Sequence, residues 1–184
     1  RAGVRGRGWN PFWEGGYLLW RFWPEPDRLP FTDIHQSGSR KDRVLMAAIG
    51  DGPSAFAALD AEHHFEWVLF ANRVALSGGL ADVLDQDTTW ALVFEDDAAL
   101  LYLRRDGALA RIAERDRYRL LVGGSMHLAD LGARVSADST LRPPLRAELQ
   151  RAIATSPERS GVAQSLLANV AMLEGRGAEA VARI

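Results

Sequence analysis

The sequence predicts an α/β fold, in which a small three-layer, mostly parallel sheet ends in an antiparallel hairpin and is followed by a helical tail. Three observations lead to this prediction. Short apolar runs bounded by Gly, Pro and Asp alternate with apolar residues at helical spacing. The run EWVLFA at residues 66–71 is apolar throughout its middle, as in a strand covered by helices on both faces. After Thr140 strand signals end, and the chain becomes rich in Ala, Leu, Arg and Glu.

The same criteria assign the other elements in chain order. Strands are predicted at residues 15–22 and 29–34, helices at 39–49 and 54–64, a short helix at 77–84, hairpin strands at 90–95 and 98–104, and a helix at 107–116. Pro24 and Pro26 end the first of these strands because proline cannot donate to a strand ladder. The pair Asp96–Asp97 between the hairpin strands is typical of a tight turn.

The chain divides into an α/β domain at residues 1–122, a linker at 123–141 that begins at Gly123–Gly124, and a helical segment at 142–184. Helices are predicted at 143–155 and 161–173, with a third that starts at Gly177. The spacing of small residues and turns there resembles tetratricopeptide repeats, of which about one and a half would be visible. An ordinary helical hairpin packed on the sheet is the alternative. In either case we expect the exposed face of the tail to bind a protein partner or to pack against more repeats beyond Ile184.

Composition excludes several classes of function. The chain has 22 basic and 24 acidic residues and a formal net charge of -2, which gives no broad basic face for nucleic acid. The absence of cysteine excludes disulfides, thiolate nucleophiles and thiolate metal ligands. No apolar run approaches the roughly 18 residues of a membrane span. The chain opens with Arg1 rather than Met, so we expect it to be a piece of a longer protein.

Tryptophan is concentrated near the amino end of the chain. A strand covered on both faces would account for Tyr17 and Trp20, which alternate between its two sides. Trp9, Trp13 and Trp23 lie at the ends of that predicted strand, where their rings would be free to meet a membrane surface or a sugar. These three are candidate ligand-binding residues.

Two pairs of polar residues are further candidate sites. Asp33 and His35 follow the predicted strand at 29–34, and polar groups at the carboxyl ends of parallel strands are placed where α/β folds bind ligands. An Asp that caps the next turn is the alternative. Asp96–Asp97 could hold a divalent metal, but the hairpin turn accounts for both residues. No catalytic residue, metal ion or cofactor is predicted.

Several motifs, taken in order, carry a family resemblance. They are GWNPFWEGGYLLW at residues 8–20, PFTD at 30–33, FEWVL at 65–69, VFEDD at 93–97 and LYLRR at 101–105. Their order resembles the soluble C-terminal region of bacterial polytopic membrane proteins that are similar to lipid-linked glycosyltransferases of the mannosyl- and oligosaccharyltransferase type. Tetratricopeptide-like helices commonly follow that region.

The resemblance implies a domain on the extracytoplasmic, periplasmic side of a bacterial membrane, tethered to a multi-span part that would carry the catalytic residues. The first expectation is therefore a noncatalytic accessory domain of a membrane glycosyltransferase-like protein, used to position an acceptor or to bind protein. The alternative is a noncatalytic assembly subunit that docks a larger membrane complex through its helical tail. A third hypothesis is a free-standing α/β enzyme that acts near Asp33 and the acidic turn at Asp96–Asp97.

Overall fold

The computed structural model describes residues 3–35, 39–49, 53–72 and 79–182. Within these ranges the strands are β1 (Gly8–Trp9), β2 (Trp67–Ala71), β3 (Trp90–Glu95) and β4 (Ala99–Arg104). The α-helices described there are α1 (Phe12–Phe22), α2 (Arg40–Ala48), α3 (Pro53–His63), α4 (Leu80–Gln86), α5 (Ala110–Asp116), α6 (Ser125–Ala137), α7 (Arg142–Thr155), α8 (Gly161–Leu173) and α9 (Gly177–Val181). The mixed α/β class is confirmed.

The four described strands form one mixed sheet in the order β1-β2-β4-β3. β1 and β2 are parallel over two residue pairs, whereas β4 is antiparallel to both β2 and β3. The predicted hairpin is confirmed, but the prediction of a mostly parallel sheet is wrong. β4 returns from β3 and inserts beside β2, so most of the ladder is antiparallel.

The predicted strand at residues 15–22 is wrong, because this run lies in helix α1. Apolar residues on every side of the run fit a strand covered on both faces and a helix equally well. In the helix, Gly15 and Leu18 are buried.

The predicted strand at residues 29–34 is also wrong, since the chain there follows a 3₁₀ turn at Pro26–Arg28 and joins no ladder. The buried side chain of Asn10 replaces the missing ladder: its Oδ1 accepts the N–H of Phe31 at 2.8 Å, and its Nδ2 donates to the carbonyl of Thr32 at 2.9 Å.

The helices predicted at 39–49 and 54–64 are confirmed as α2 and α3. α2 begins at a capping box, in which Ser39 Oγ accepts the N–H of Asp42 at 3.1 Å and Asp42 Oδ2 accepts the N–H of Ser39 at 2.9 Å. Asp42 Oδ1 also lies 2.9 Å from His63 Nε2, which links α2 to α3. This contact, with the amide and hydroxyl of Ser39, lowers the pKa of Asp42 to about 2.

α4 matches the predicted short helix, whose residues 77 and 78 lie outside the described ranges.

The sheet separates two apolar clusters. On its first face Val68, Phe70, Leu100 and Tyr102 are fully covered by helices of both the α/β part and the tail. This cluster continues through α6, α7 and α8, where its members include Leu131, Val135, Leu145, Leu149 and Leu167. On the second face Trp67 and Leu103 pack with Leu18 of α1, with Leu109 just before α5 and with Ala113 of α5.

The predicted linker at residues 123–141 instead contains α6 and a 3₁₀ turn at Ser139–Leu141. Carboxylates of α4 accept hydrogen bonds from backbone N–H groups at the start of α6: Asp85 Oδ2 accepts from Gly124 at 2.7 Å, and Asp82 Oδ1 accepts from Met126 at 3.0 Å. The Gly-Gly pair therefore lies against α4 rather than opening a flexible connection. The helices predicted at 143–155, 161–173 and from Gly177 are confirmed as α7, α8 and α9.

Candidate functional site

Helix α1 carries an exposed aromatic face, formed by Trp13, Tyr17, Trp20 and, just past its end, Trp23. Their side chains are exposed by 71%, 60%, 77% and 68% respectively. The first three follow the i, i+4, i+7 spacing of one helix face. Gly16 lies on the same side and leaves open space beside these rings. We call these four side chains the aromatic face.

The aromatic face corrects part of the sequence interpretation. Trp13 and Trp23 are exposed as expected, and their role in binding stays a prediction. Tyr17 and Trp20, which the sequence assigned to a covered strand, are exposed as well. The helical spacing of Trp13, Tyr17 and Trp20 was the signal that could have found them.

Trp9 is not a surface ring, because it is only 3% exposed in β1. It packs edge-on against Phe56 and Phe70, with ring centroids 5.8 and 6.3 Å away. Its indole N–H lies 3.0 Å from the sulfur of Met46. The prediction that Trp9 is free to meet a ligand is therefore wrong, since the ring lies inside the core.

Asp33 and His35 form a local turn rather than the edge of a parallel sheet. Asp33 is buried, and its Oδ1 accepts the backbone N–H of His35 at 2.9 Å, as in an Asx turn. The side chain of His35 is exposed. The premise for a ligand site here was a strand at 29–34, which the structure does not contain, so the turn interpretation is favoured.

The acidic pair of the hairpin turn has structural partners. Asp96 Oδ1 accepts the N–H groups of Ala98 and Ala99, each at 2.8 Å, and its Oδ2 accepts the hydroxyl of Ser156 at 2.8 Å. The carboxylate of Asp97 accepts backbone N–H groups at the start of α8. Both residues thus tie the hairpin to the helical tail.

Two clusters of acidic and histidine side chains bring possible ligand atoms within 4.8 Å of one another: Asp42, Glu62 and His63, and Asp82, Asp85 and His127. In the first, Asp42 completes the capping box of α2, and Glu62 pairs with Lys41. In the second, the carboxylates accept the backbone N–H groups at the start of α6. These contacts account for both clusters as links between helices.

Tyr102 extends the second of these clusters into the core. Its hydroxyl donates to Asp85 Oδ1 at 2.8 Å. Burial raises the pKa of Asp85, against the hydrogen bonds from Gly124, Tyr102 and Gly123 that lower it. Burial and the charge of Asp85 together raise the pKa of Tyr102 well above its ordinary value, so the phenol stays protonated and donating.

A cavity of about 580 Å³ lies on the second face of the sheet, between the sheet, α1 and α5. Its volume falls within the range of about 300–1,000 Å³ that is usual for small-molecule sites. Apolar side chains supply most of its lining, among them Leu18, Phe22, Val93, Phe94 and Ile112. We call this space the α1–α5 cavity.

Charged side chains also contribute to the lining of the α1–α5 cavity. Arg28, Asp116 and Arg151 all contribute to its wall. Asp116 is held bidentately by Arg115, with both contacts at 2.7 Å. The guanidinium of Arg151 lies 4.0 Å over the ring of Tyr118. Sequence reasoning missed the two arginines because neither belongs to a local motif.

No protein-family model matches the chain, and no curated protein or solved structure shows significant similarity to it. The relation to membrane glycosyltransferases therefore stays a prediction based on the order of sequence motifs. Among the residues that the structure describes, no helix is both long enough and apolar enough to cross a membrane.

Proposed function

We propose that this chain is a noncatalytic accessory domain of a membrane glycosyltransferase-like protein and that its aromatic face lies against the membrane–water interface on the periplasmic side. The observation that supports the proposal is the exposure of three large rings along one side of α1 and of Trp23 just past its end. Trp and Tyr favour that interface because their rings are apolar while their N–H and O–H groups can stay hydrated. The domain would there position an acceptor or a protein partner for chemistry located elsewhere.

The shape of the aromatic face favours a bilayer over a single sugar. The rings project from the outer side of a helix, whereas small-molecule sites are usually concave. Contiguous apolar patches of this kind on a soluble surface mark interaction sites. The charged residues of α1 are mixed in sign, with Glu14 in its first turn and Arg21 in its last. We therefore expect attachment through the rings, with little dependence on salt or on anionic lipid.

Vesicle sedimentation tests this proposal. The wild-type chain should partition onto phosphatidylcholine vesicles, and the double variant Trp13→Ser/Trp20→Ser should bind them about ten-fold or more weakly. The matched control is Met126→Ser/Met172→Ser, which removes two exposed apolar side chains from α6 and α8. This control should bind as the wild type does.

Tryptophan fluorescence gives a second measurement. Trp13, Trp20 and Trp23 are exposed, whereas Trp67 and Trp90, like Trp9, are buried. Brominated phosphatidylcholine should quench only the exposed group. A wild-type chain that stays in the supernatant with unquenched fluorescence contradicts membrane attachment. Fluorescence changes caused by a soluble oligosaccharide under the same conditions would assign the aromatic face to sugar binding instead.

A second candidate function, an assembly subunit that docks a larger membrane complex through its tail, is supported by a groove on the helical part. The groove has a volume of about 380 Å³ and lies between α6, α7 and α8. Its lining is mostly apolar and includes Leu128, Val135 and Leu173. Two proposals about the fold accompany this candidate: the α/β part has three layers, and the tail consists of tetratricopeptide-like repeats. Stacked helical pairs of such repeats present grooves of this kind to protein partners.

Two glycine variants test the second candidate. Gly132 borders the groove and has open space around the position of a Cβ, so Gly132→Trp would fill the groove. Gly177 is equally open and starts α9 outside the groove lining, so Gly177→Trp is the matched control. Co-purification with a membrane complex that survives Gly132→Trp argues against docking through this groove. Loss with Gly132→Trp alone supports it.

A further inference from the structure

The second face of the sheet is less completely covered than the first. Val68, Leu100 and Tyr102 on the first face are at most 1% exposed. On the second face, six apolar side chains remain only partly buried although they pack against that cluster: Val4, Phe22, Leu69, Val93, Leu101 and Ile112. All six line the α1–α5 cavity. The apolar surface that remains uncovered on the second face of the sheet is therefore concentrated at the α1–α5 cavity.

Hydrogen bonds fix the walls of this cavity. The N–H of Gly6 donates to the carbonyl of Asp27 at 2.8 Å, and Arg5 pairs with the Asp27 carboxylate at 2.9 Å. The indole N–H of Trp67 donates to the carbonyl of Gly6 at 2.8 Å. These contacts hold the amino-terminal segment and the turn after α1 against the sheet. These contacts therefore fix the positions of the segments that form the walls of the cavity.

A β-bulge enlarges the apolar wall. The register of β3 against β4 shifts between Leu92 and Phe94. Two consecutive residues, Val93 and Phe94, therefore both line the cavity, whereas regular alternation would turn one of them to the opposite face. The bulge directs an additional ring toward the cavity.

The polar part of the wall is suited to an anion. Arg151 Nη2 is buried, and none of the described residues offers it a hydrogen-bond acceptor. The Nε of Arg28 is likewise buried without a hydrogen bond in the described chain, although it lies 3.5 Å from a carboxylate oxygen of Glu25. The carboxylate of Asp116 is held bidentately by Arg115, and the charge of Arg151 helps to lower its pKa without a hydrogen bond between the two. A buried guanidinium donor without an acceptor is costly, and a ligand anion would remove that cost.

From this geometry we propose that the α1–α5 cavity binds a single aliphatic chain that ends in an anionic group, either a carboxylate or a phosphate. The aliphatic chain covers the six partly buried side chains, the anion accepts hydrogen bonds from Arg151, and Arg28 adds a second positive charge to the wall of the cavity. Trp13, Tyr17 and Trp20 lie on the opposite side of α1 from Leu18 and Phe22. This site is therefore distinct from the proposed membrane contact and does not depend on it.

Calorimetric titration with monomeric ligands tests the proposal on the whole chain. Dodecanoate, dodecyl phosphate, dodecanol and dodecylammonium are each added below their critical micelle concentrations, without vesicles. At least one of the two anions should bind about ten-fold or more tightly than dodecanol and dodecylammonium. Preference for dodecanoate indicates a fatty acid, and preference for dodecyl phosphate indicates a phosphate headgroup. Equal binding of dodecanol overturns the anionic part, and no binding of any of the four overturns the site.

Variants separate the two parts of the site. Arg151→Gln should weaken binding of the preferred anion about ten-fold or more and leave binding of dodecanol unchanged. Arg28→Gln gives an independent test of the same charge effect. Arg134→Gln, an equal loss of charge on the exposed side of α6, is the matched control and should change nothing. Ile112→Trp should fill the cavity and abolish binding of every ligand. With far-UV circular dichroism confirming that the variants are folded, unchanged anion binding by both Arg151→Gln and Arg28→Gln, or unchanged binding by Ile112→Trp, overturns the proposal.

Discussion

The carboxylate of Asp97 accepts the backbone N–H of Gly161 at 2.7 Å and thereby joins the β3–β4 hairpin to the first turn of α8. Its second oxygen accepts the N–H of Val162 at 2.9 Å. The first N–H groups of a helix have no acceptor within the helix, and a carboxylate also suits the positive end of the helix dipole. Asp97 therefore acts as a helix cap supplied from a distant part of the chain.

Removing this cap should loosen α8. We expect Asp97→Ala to lower the free energy of unfolding by about 1–2 kcal/mol, because two backbone N–H groups lose their acceptor. Amide hydrogen exchange should become faster in the first turn of α8. Asp138→Ala is the control, since Asp138 caps the separate 3₁₀ turn through the N–H of Thr140. Unchanged exchange in α8 of Asp97→Ala would contradict the role of the cap.

Glu95 shows how the same hairpin creates a buried acid. The bulge that directs Phe94 into the α1–α5 cavity also places Glu95 opposite Leu100, a residue of the first apolar cluster. Glu95 is buried, and its Oε2 finds no hydrogen-bond partner in the described part of the chain. Burial, reinforced by the charges of Asp97, Asp85 and Asp96, raises the pKa of Glu95 to about 7.

The raised pKa of Glu95 predicts a loss of stability with rising pH. Between the ordinary glutamate pKa of 4.5 and the folded-state pKa of about 7, the folded state holds more protons than the unfolded state. The free energy of unfolding should therefore fall as pH rises through this window, by about 3 kcal/mol in total. Glu95→Gln cannot ionise and should remove this contribution.

Urea unfolding at several pH values between 5 and 8 measures this effect. Glu95→Gln should gain about 1–3 kcal/mol over the wild type at pH 8, and the difference between the two should shrink toward pH 5. Glu158→Gln, an exposed glutamate, serves as the charge control. A constant difference between Glu95→Gln and the wild type at all pH values would show that Glu95 does not titrate in this window.

Arg104 joins three parts of the first face of the sheet. Its Nε donates to the carbonyl of Phe65 at 2.6 Å, its guanidinium pairs with Asp60, and it lies 4.4 Å over the ring of Trp90. We expect Arg104→Ala to lower the free energy of unfolding by about 2–3 kcal/mol, because Asp60 would lose its partner in a largely buried place.

The lysine variant separates charge from geometry at this position. Arg104→Lys keeps the charge but not the planar fork, and chemical denaturation should place its stability between Arg104→Ala and the wild type. Arg111→Ala removes an exposed arginine of α5 and should cost less than about 1 kcal/mol. If Arg104→Ala costs no more than Arg111→Ala, the three contacts do not stabilise the fold.

The elements predicted correctly from the sequence are those that local chemistry determines. The start of α2 at Ser39 is a capping signal, the hairpin turn at Asp96–Asp97 is a turn signal, and β2 is a short apolar run. For α2 and the hairpin turn, neighbours in the chain supply the partners of the backbone groups, whereas β2 is recognisable from its own apolar run although its ladder partners are distant. These elements needed no knowledge of tertiary contacts.

The errors arise where distant residues decide the structure. The helix α6 within the predicted linker was missed because distant residues, Asp82 and Asp85, supply acceptors for its start. In the candidate site, the exposed positions of Trp13 and Trp23 were predicted, but the burial of Trp9 depends on α3 and β2. Arg151 reaches the α1–α5 cavity from α7, and no local pattern indicates that placement.

The glycine pair of α1 gives a sharp test of the helix that replaced the predicted strand. A Cβ on Gly15 would lie 2.0 Å from the carbonyl oxygen of Thr32 and 2.6 Å from the Cα of Asp33. Both are backbone atoms, so the segment at 32–33 would have to move. A Cβ on Gly16, one residue later, would meet nothing within 4 Å.

The two alanine variants should therefore change stability in opposite directions. Gly16→Ala should raise the free energy of unfolding by up to about 1 kcal/mol, because alanine favours a helix over glycine and has room here. Gly15→Ala should lower it by about 1–3 kcal/mol, because the close approach of α1 to Thr32 leaves no space for a methyl group. Chemical denaturation of both variants measures the difference. If residues 15–22 formed a strand, each substitution would raise the strand propensity, and the two variants would change stability in the same way. Equal effects of the two substitutions would therefore contradict the helix and its contact with Thr32.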